Sequence, residues 1–332
     1  MKRTTAIIGA GLLALATTAA QAADELTLQL KWVSQSQFAG YYVAQDKGFY
    51  EEENLDVTIK PGGPDISVPQ VIAAGGADVI IEWMPSALAA RERGLPIVNI
   101  AQIFNRSGMQ LTCLADTGIT TADDFKGRTL GVWFFGNEYP FLSWMDKLEF
   151  STEGGPDGVT VLKQGFNVDP LLQRQADCIS TMTYNEYWQV IDAGIEPGEL
   201  VVFPYEDQGV ATLEDGLYTT EENLADPETA DRLARFLRAS IKGWEYAIEN
   251  QEEAVQIVLD NDTGGALNET HQTRQMAEIA KLITGEGGTG FLDPAAYQRT
   301  VDVLLGGKSD PVITKQPEGA WTHDLWKQAT GG

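Results

Sequence analysis

Gly131-Val132-Trp133-Phe134-Phe135-Gly136-Asn137-Glu138-Tyr139-Pro140-Phe141 is the stretch whose reading decides the fold. Just upstream, Arg128-Thr129-Leu130-Gly131-Val132-Trp133 has the apolar run of a short buried strand. Downstream, Phe141, Leu142, Met145 and Leu148 form an apolar stripe that predicts a helix over 139–150. Gly136 permits a sharp backbone turn, and Asn137 is a fair N-cap. The stretch reads as a strand-to-helix corner. In open α/β sheets, ligands bind at such corners, outside the carboxyl ends of the strands. Core aromatics and a capping Glu would give the same composition at one corner alone. A functional reading therefore needs other corners to repeat it.

The β-loop-α rhythm extends on both sides. Strands are predicted near 26–30, 55–59, 77–81, 97–101, 111–114, 159–162, 177–180 and 200–203. Helices are predicted between them, at 38–50, 68–74, 85–93, 121–125, 170–175 and 187–193. This alternation implies largely parallel sheet with helices on both faces. Beyond Leu213 the pattern changes. Asp226-Pro227-Glu228 opens a long helix to about Glu249, more helices follow at 255–259, 270–283 and 294–304, and no comparable strand is read. The Gly-rich piece 285–290 follows no strand, so it reads as a linker and not a phosphate loop. Two α/β lobes account for the doubled rhythm, with 24–108 plus 210–332 in lobe 1 and 109–209 in lobe 2. A cleft between them would be lined by the corners.

Lys2 and Arg3, the apolar run 6–16 and Ala20-Gln21-Ala22 together have the form of a signal peptide over 1–22. The expected location is the periplasm. No later run is long and apolar enough to span a membrane, so direct membrane insertion is not expected. The net charge of the 332 residues is −25; without Lys2 and Arg3 it is 21 − 48 = −27. Such an excess argues against nucleic acid and anionic lipid as partners. Cys113 and Cys178 each lie in a strand-like run; a disulfide and two buried thiols both remain open. The two histidines, His271 and His323, are far in sequence from each other and from the cysteines. No metal site and no cofactor is expected.

The strand-end segments 32–38, 82–86, 134–139, 181–186 and 205–207 repeat one composition. They carry Trp32, Phe38, Trp83, Phe134, Tyr139, Tyr184 and Tyr205, with Glu82, Glu138, Glu186 and Glu206, and no Lys or Arg. Asn137, Thr183 and Asn185 add amide and hydroxyl groups. Aromatic faces stack on flat rings, and carboxylates accept from amino groups and ring N–H. An anionic cargo would need basic groups that these segments lack. The expected ligand is a flat, nitrogen-bearing ring, neutral or weakly cationic. Trp83 and Trp32 would stack, Glu138 and Glu186 would accept hydrogen bonds, and Tyr184 and Tyr205 would offer hydroxyls. A competing reading is an exported enzyme with Glu82 and Glu138 as an acid/base pair.

Trp32 followed by Phe38-Ala39-Gly40-Tyr41-Tyr42-Val43-Ala44 and Lys47-Gly48-Phe49-Tyr50 resembles the opening of type II periplasmic solute-binding proteins of ABC importers. Gly136-Asn137-Glu138-Tyr139 and Met182-Thr183-Tyr184-Asn185-Glu186 are similar to segments of the branch that binds thiamine pyrimidine precursors. The resemblance implies a two-lobed fold and a monomeric receptor that closes about a hinge. It implies Tyr41 as a further site residue and an inner-membrane permease as partner. It also admits riboflavin and sulfonate cargoes. One departure is that 34–37 lacks the branch's Pro-Asn type loop and its His. Synthases of the family use a His and a Cys-rich iron motif; this chain has no His between Asp24 and Thr270 and no Cys cluster.

Overall fold

The computed structural model describes residues 22–283, 285–306 and 311–331. The segment 1–22, read from sequence as a signal peptide, lies outside them except for residue 22. Among the described residues, ten strands form two five-stranded sheets. The first sheet contains β1 (Asp24–Gln29), β2 (Leu55–Lys60), β3 (Val79–Trp83), β4 (Ile97–Gln102) and β10 (Asp215–Thr220) in the order β2-β1-β3-β10-β4. The second contains β5 (Met109–Leu114), β6 (Thr129–Val132), β7 (Thr160–Lys163), β8 (Cys178–Met182) and β9 (Leu200–Pro204) in the order β7-β6-β8-β5-β9. With helices covering both, the α/β architecture expected from the alternation is present.

One expectation is corrected. The chain does form a strand after Leu213: β10 inserts between β3 and β4 and runs antiparallel to both. Its sequence, Asp-Gly-Leu-Tyr-Thr-Thr, lacks the long apolar run of the parallel strands. Strand β5 is its counterpart, antiparallel to β8 and β9. An antiparallel strand starts where its parallel neighbours end. Asp215 therefore stands opposite Trp83 at the end of β3, and Met109 opposite Met182 at the end of β8. Each strand enters its sheet directly from a chain crossing, so both crossings lie beside the carboxyl ends of the strands, where ligands bind. Cys113 and Cys178 face each other across β5 and β8 and are joined as a disulfide.

The first helix, Ala39–Asp46, stops two residues before Gly48, which takes φ +72° and restarts the chain at Phe49–Glu52. It packs on the long helix Pro227–Glu249, whose Asp226 N-cap accepts from Thr229 N at 3.0 Å with Pro227 in the first turn. The contact is built on glycines. A Cβ on Gly243 would stand 2.1 Å from the Gly40 carbonyl oxygen, and one on Gly40 would stand 2.2 Å from the Trp244 ring. This approach buries Trp244 against Tyr41, edge to face at 5.5 Å. Gly243→Ala should therefore destabilise the protein, although Ala favours an exposed helix by about 1 kcal/mol. The expected loss is about 1–3 kcal/mol from overpacking, measured by urea unfolding. An unchanged or raised midpoint would contradict this reading of the helix contact.

Candidate functional site

The two lobes meet over a narrow slot. Lys31, Trp32, Gln35, Gln37 and Trp83 line it from the first lobe, and Trp133, Asn137, Met182, Tyr184, Asn185 and Glu186 from the second. Its free space is about 40 Å³. Small-molecule sites commonly offer about 300–1,000 Å³. The lobes are thus shut, and admitting a ring requires them to part.

The first wall is organised by Asp215. Its Oδ1 accepts from the Trp83 indole Nε1 at 2.8 Å, and its Oδ2 accepts from Gln37 Nε2 at 2.8 Å. Gln35 Nε2 donates in turn to Gln37 Oε1 at 2.7 Å. Burial pushes the Asp215 carboxyl up to about 6, against the hydrogen bond from Gln37 and the charge of Lys31. Lys31 Nζ stands 5.0 Å over the Trp83 ring and 2.6 Å from Glu82 Oε1. Glu82 Oε1 also accepts from Trp83 N, and its Oε2 from Ser86 Oγ. Lys31, the one cation among the described residues that line the slot, is therefore neutralised from behind by a buried carboxylate.

The second wall comes from two strand-to-helix corners. After β6, Trp133 donates its indole Nε1 to Gly165 O at 2.8 Å. Asn137 Nδ2 donates to Phe134 O, while Asn137 Oδ1 is buried with no hydrogen-bond partner among the described residues. After β8, Glu186 Oε2 accepts from Met182 N at 3.0 Å and its Oε1 from Asn185 Nδ2 at 2.7 Å. Burial pushes this carboxyl up to about 7, with those hydrogen bonds opposing. Tyr184 is buried on Phe104, edge to face at 6.1 Å.

The structure thus divides the residues singled out from sequence. Trp32, Trp83, Asn137, Tyr184, Asn185 and Glu186 share the slot. Glu82 sits behind it, on Lys31. Phe38, Tyr41 and Tyr205 are corrected to core positions: Phe38 is wholly buried, Tyr41 packs on Trp244, and Tyr205 packs on Trp144 at 5.4 Å. Phe134, Glu138 and Tyr139 turn to a neighbouring, more open interlobe depression with Arg93 and Lys163. The corner divides there because Phe135 takes φ +65° and Gly136 φ +99°, with Gly136 pressed on Ser86. Glu138 Oε2 accepts from Gly136 N at 2.7 Å, so it closes its own loop, and Asn137 is not the N-cap. Glu206 belongs to the hinge, bonded to Arg106 and to Ser107 N. Thr183 bonds to Gly108 O through its backbone and faces the same crossing.

Lys31, Gln35, Gln37, Trp133, Met182 and Asp215 were not singled out from sequence. Trp133 was visible, but its apolar run read as strand interior. Lys31 lies one residue before the first corner, so the absence of Lys there holds only from Trp32 onward. Asp215 was hidden with the strand that carries it. The hinge adds Glu214, whose Oε1 accepts from Ser107 Oγ at 2.6 Å and Met109 N at 3.1 Å, tying the two crossings together.

A family model described as NMT1/THI5 like matches residues 35–254. The chain belongs to that family. It is 24% identical to the formylaminopyrimidine-binding protein of Halalkalibacterium halodurans, over 86% of each chain. It is 24% identical to the riboflavin-binding protein RibY of Chloroflexus aurantiacus, over 91% of this chain and 86% of that one. It is 27% identical to the 4-amino-5-hydroxymethyl-2-methylpyrimidine phosphate synthase of Legionella pneumophila, over 71% and 73%. The solved structure of the Candida albicans CA3427 gene product, which has the generic periplasmic binding protein fold, superposes with a TM-score of 0.66 at 17% identity, over 90% of this chain and 96% of that one. The two-lobed periplasmic-binding-protein fold expected from sequence is therefore present.

Three buried carboxyls, Glu186, Glu214 and Asp215, are held protonated to higher pH in the folded chain than in the unfolded one, with Glu214 raised by burial to about 8. The unfolded chain sheds these protons first as pH rises. Their stabilising contribution is complete below the ordinary carboxyl range and is lost as pH climbs through about 6 to 8. Glu214→Gln, which cannot ionise, should flatten the fall in stability between pH 5 and 8 by about 1–3 kcal/mol in denaturant titrations. Parallel wild-type and variant curves would contradict the assignment.

Proposed function

We propose that the protein is an exported solute receptor that closes its two lobes over a planar, nitrogen-bearing ring of the thiamine-pyrimidine type. The observation that carries the reading is one buried slot with four rings, Trp32, Trp83, Trp133 and Tyr184, beside two acceptors, Asn137 Oδ1 and Glu186. A buried carbonyl without a donor costs about 1–3 kcal/mol, which a ligand N–H would recover. A carboxylate with two occupied oxygens still has lone pairs for an amino group. The rings supply stacking faces for an aromatic heterocycle. The relative named for formylaminopyrimidine binding supports this class of ligand.

The slot is favoured over the neighbouring depression for a physical reason. Trp83, Tyr184, Asn185 and Glu186 are all buried, whereas Phe134, Lys163 and Arg93 on the depression are exposed. Water-excluded groups discriminate ligands more strongly than exposed ones. The slot's narrowness favours a single ring over a flavin. The enzyme reading loses its acid/base pair, because Glu82 is held by Lys31 and Glu138 faces the other compartment. Delivery to a membrane permease, a periplasmic location and a monomeric state complete the proposal. Lobe 1 comprises 24–108 and 210–332, and lobe 2 comprises 109–209. Among the described residues no helix is long and apolar enough to cross a membrane.

Calorimetry with formylaminopyrimidine, 4-amino-5-hydroxymethyl-2-methylpyrimidine, riboflavin and an alkanesulfonate tests the reading. A pyrimidine should bind and be recovered unaltered by mass spectrometry. Trp83→Ala and Glu186→Gln should each weaken binding by about 1–3 kcal/mol. Glu138→Ala should change it by less than about 0.5 kcal/mol. Binding of the sulfonate alone, or turnover of the pyrimidine, would overturn the proposal.

A further inference from the structure

The helix Glu269–Ile283 touches both lobes at the slot. Toward the first lobe, Gln272 Oε1 accepts from Ser36 N at 2.7 Å and Gln275 Oε1 from Gln37 N at 3.2 Å. Both glutamines are buried, and they fix the loop that carries Gln37 to Asp215. At its far end the helix rests on the first crossing, with Asn105 N donating to Leu282 O at 2.9 Å. Toward the second lobe, His271 Nε2 lies 2.8 Å from Asn185 Oδ1, and Arg274 Nη1 lies 2.6 Å from Asp192 Oδ1. The Arg274 guanidinium also stands 5.0 Å over the Trp188 ring. Residues 271, 272, 274 and 275 share one stretch of helix surface by their three- and four-residue spacing. That surface contacts two residues that line the slot, Gln37 of the first lobe and Asn185 of the second.

We infer that this helix is a clasp that holds the lobes shut, and that His271 is a positioning residue for ligand binding, acting through Asn185. The second part rests on the receptor reading above; the first does not. Asn185 Oδ1 takes its short contact from His271, at 2.8 Å, and a longer one from Gln189 Nε2, at 3.3 Å. With its Oδ1 facing His271, its Nδ2 points to Glu186 Oε1 at 2.7 Å. Asn185 Oδ1 can only accept, so His271 donates from Nε2. Loss of that donor leaves the amide oxygen only the long contact from Gln189, so the amide is less firmly aimed at Glu186. Loss of Arg274 removes the outer contact without touching the slot. Neither side chain is fully buried, so both can be removed without opening a core cavity.

Two measurements test this. Without ligand, small-angle X-ray scattering should give a larger radius of gyration for His271→Ala/Arg274→Ala than for the wild-type chain. With formylaminopyrimidine, stopped-flow tryptophan fluorescence should show release about tenfold faster in His271→Ala, with association nearly unchanged. His271→Gln keeps an N–H donor and should restore slow release. An unchanged radius would overturn the clasp even if no pyrimidine bound. Unchanged release, or failure of Gln to restore it, would overturn the role of His271. If the wild-type chain binds none of the heterocycles, the receptor reading and His271's part in it fail together, while the scattering still decides the clasp.

Discussion

Asp215 is the residue on which the site depends. Its two oxygens hold the Trp83 indole and the Gln37 amide, the first from the end of β3 and the second from the loop after β1. Without it, a large ring and a long amide would each have several rotamers beside the slot, and ordering them would cost entropy on binding. With it, the first wall is built before a ligand arrives. Asp215 is itself placed by topology. It opens β10, and β10 is antiparallel, so it meets β3 end to start. The same reversal puts β5 in register with β8 in the other lobe. Hinge, wall and slot thus follow from one strand in each sheet running against its neighbours.

The polarity of the slot follows from what surrounds it. Glu186 and Asp215 are buried and raised in pKa, and Lys31 is paired from behind by Glu82. The interior therefore offers acceptors and aromatic faces rather than net positive charge. A site for a sulfonate would require the reverse balance. The strained corner Phe135-Gly136 is the second device. It turns Asn137 into the slot and Phe134 and Glu138 out of it.

Much of this was legible from residues alone. The parallel strands announce themselves as apolar runs such as Val79-Ile80-Ile81, and the long C-terminal helix by Asp226-Pro227 at its start. Trp83, Tyr184 and Glu186 stand out in the sequence because they follow strand ends, and all three line the slot. What sequence misjudged has physical causes. Phe38 and Tyr205 occupy corners and Tyr41 lies in the helix just after one, but an aromatic there packs inward when a second helix comes close, as Trp244 does on Tyr41 across Gly40 and Gly243. The strand β10 is polar and contains a glycine, so no run betrayed it, and Asp215 went with it. The direction in which Glu138 points depends on a positive φ at Phe135, which residue type does not signal.

A crystal structure of the full chain grown with formylaminopyrimidine tests the central claim most directly. The account predicts the ring between the walls that carry Trp83 and Glu186, with a ring nitrogen or amino group donating to Asn137 Oδ1. A ring lodged instead beside Phe134 and Lys163, with the slot still shut, would contradict it.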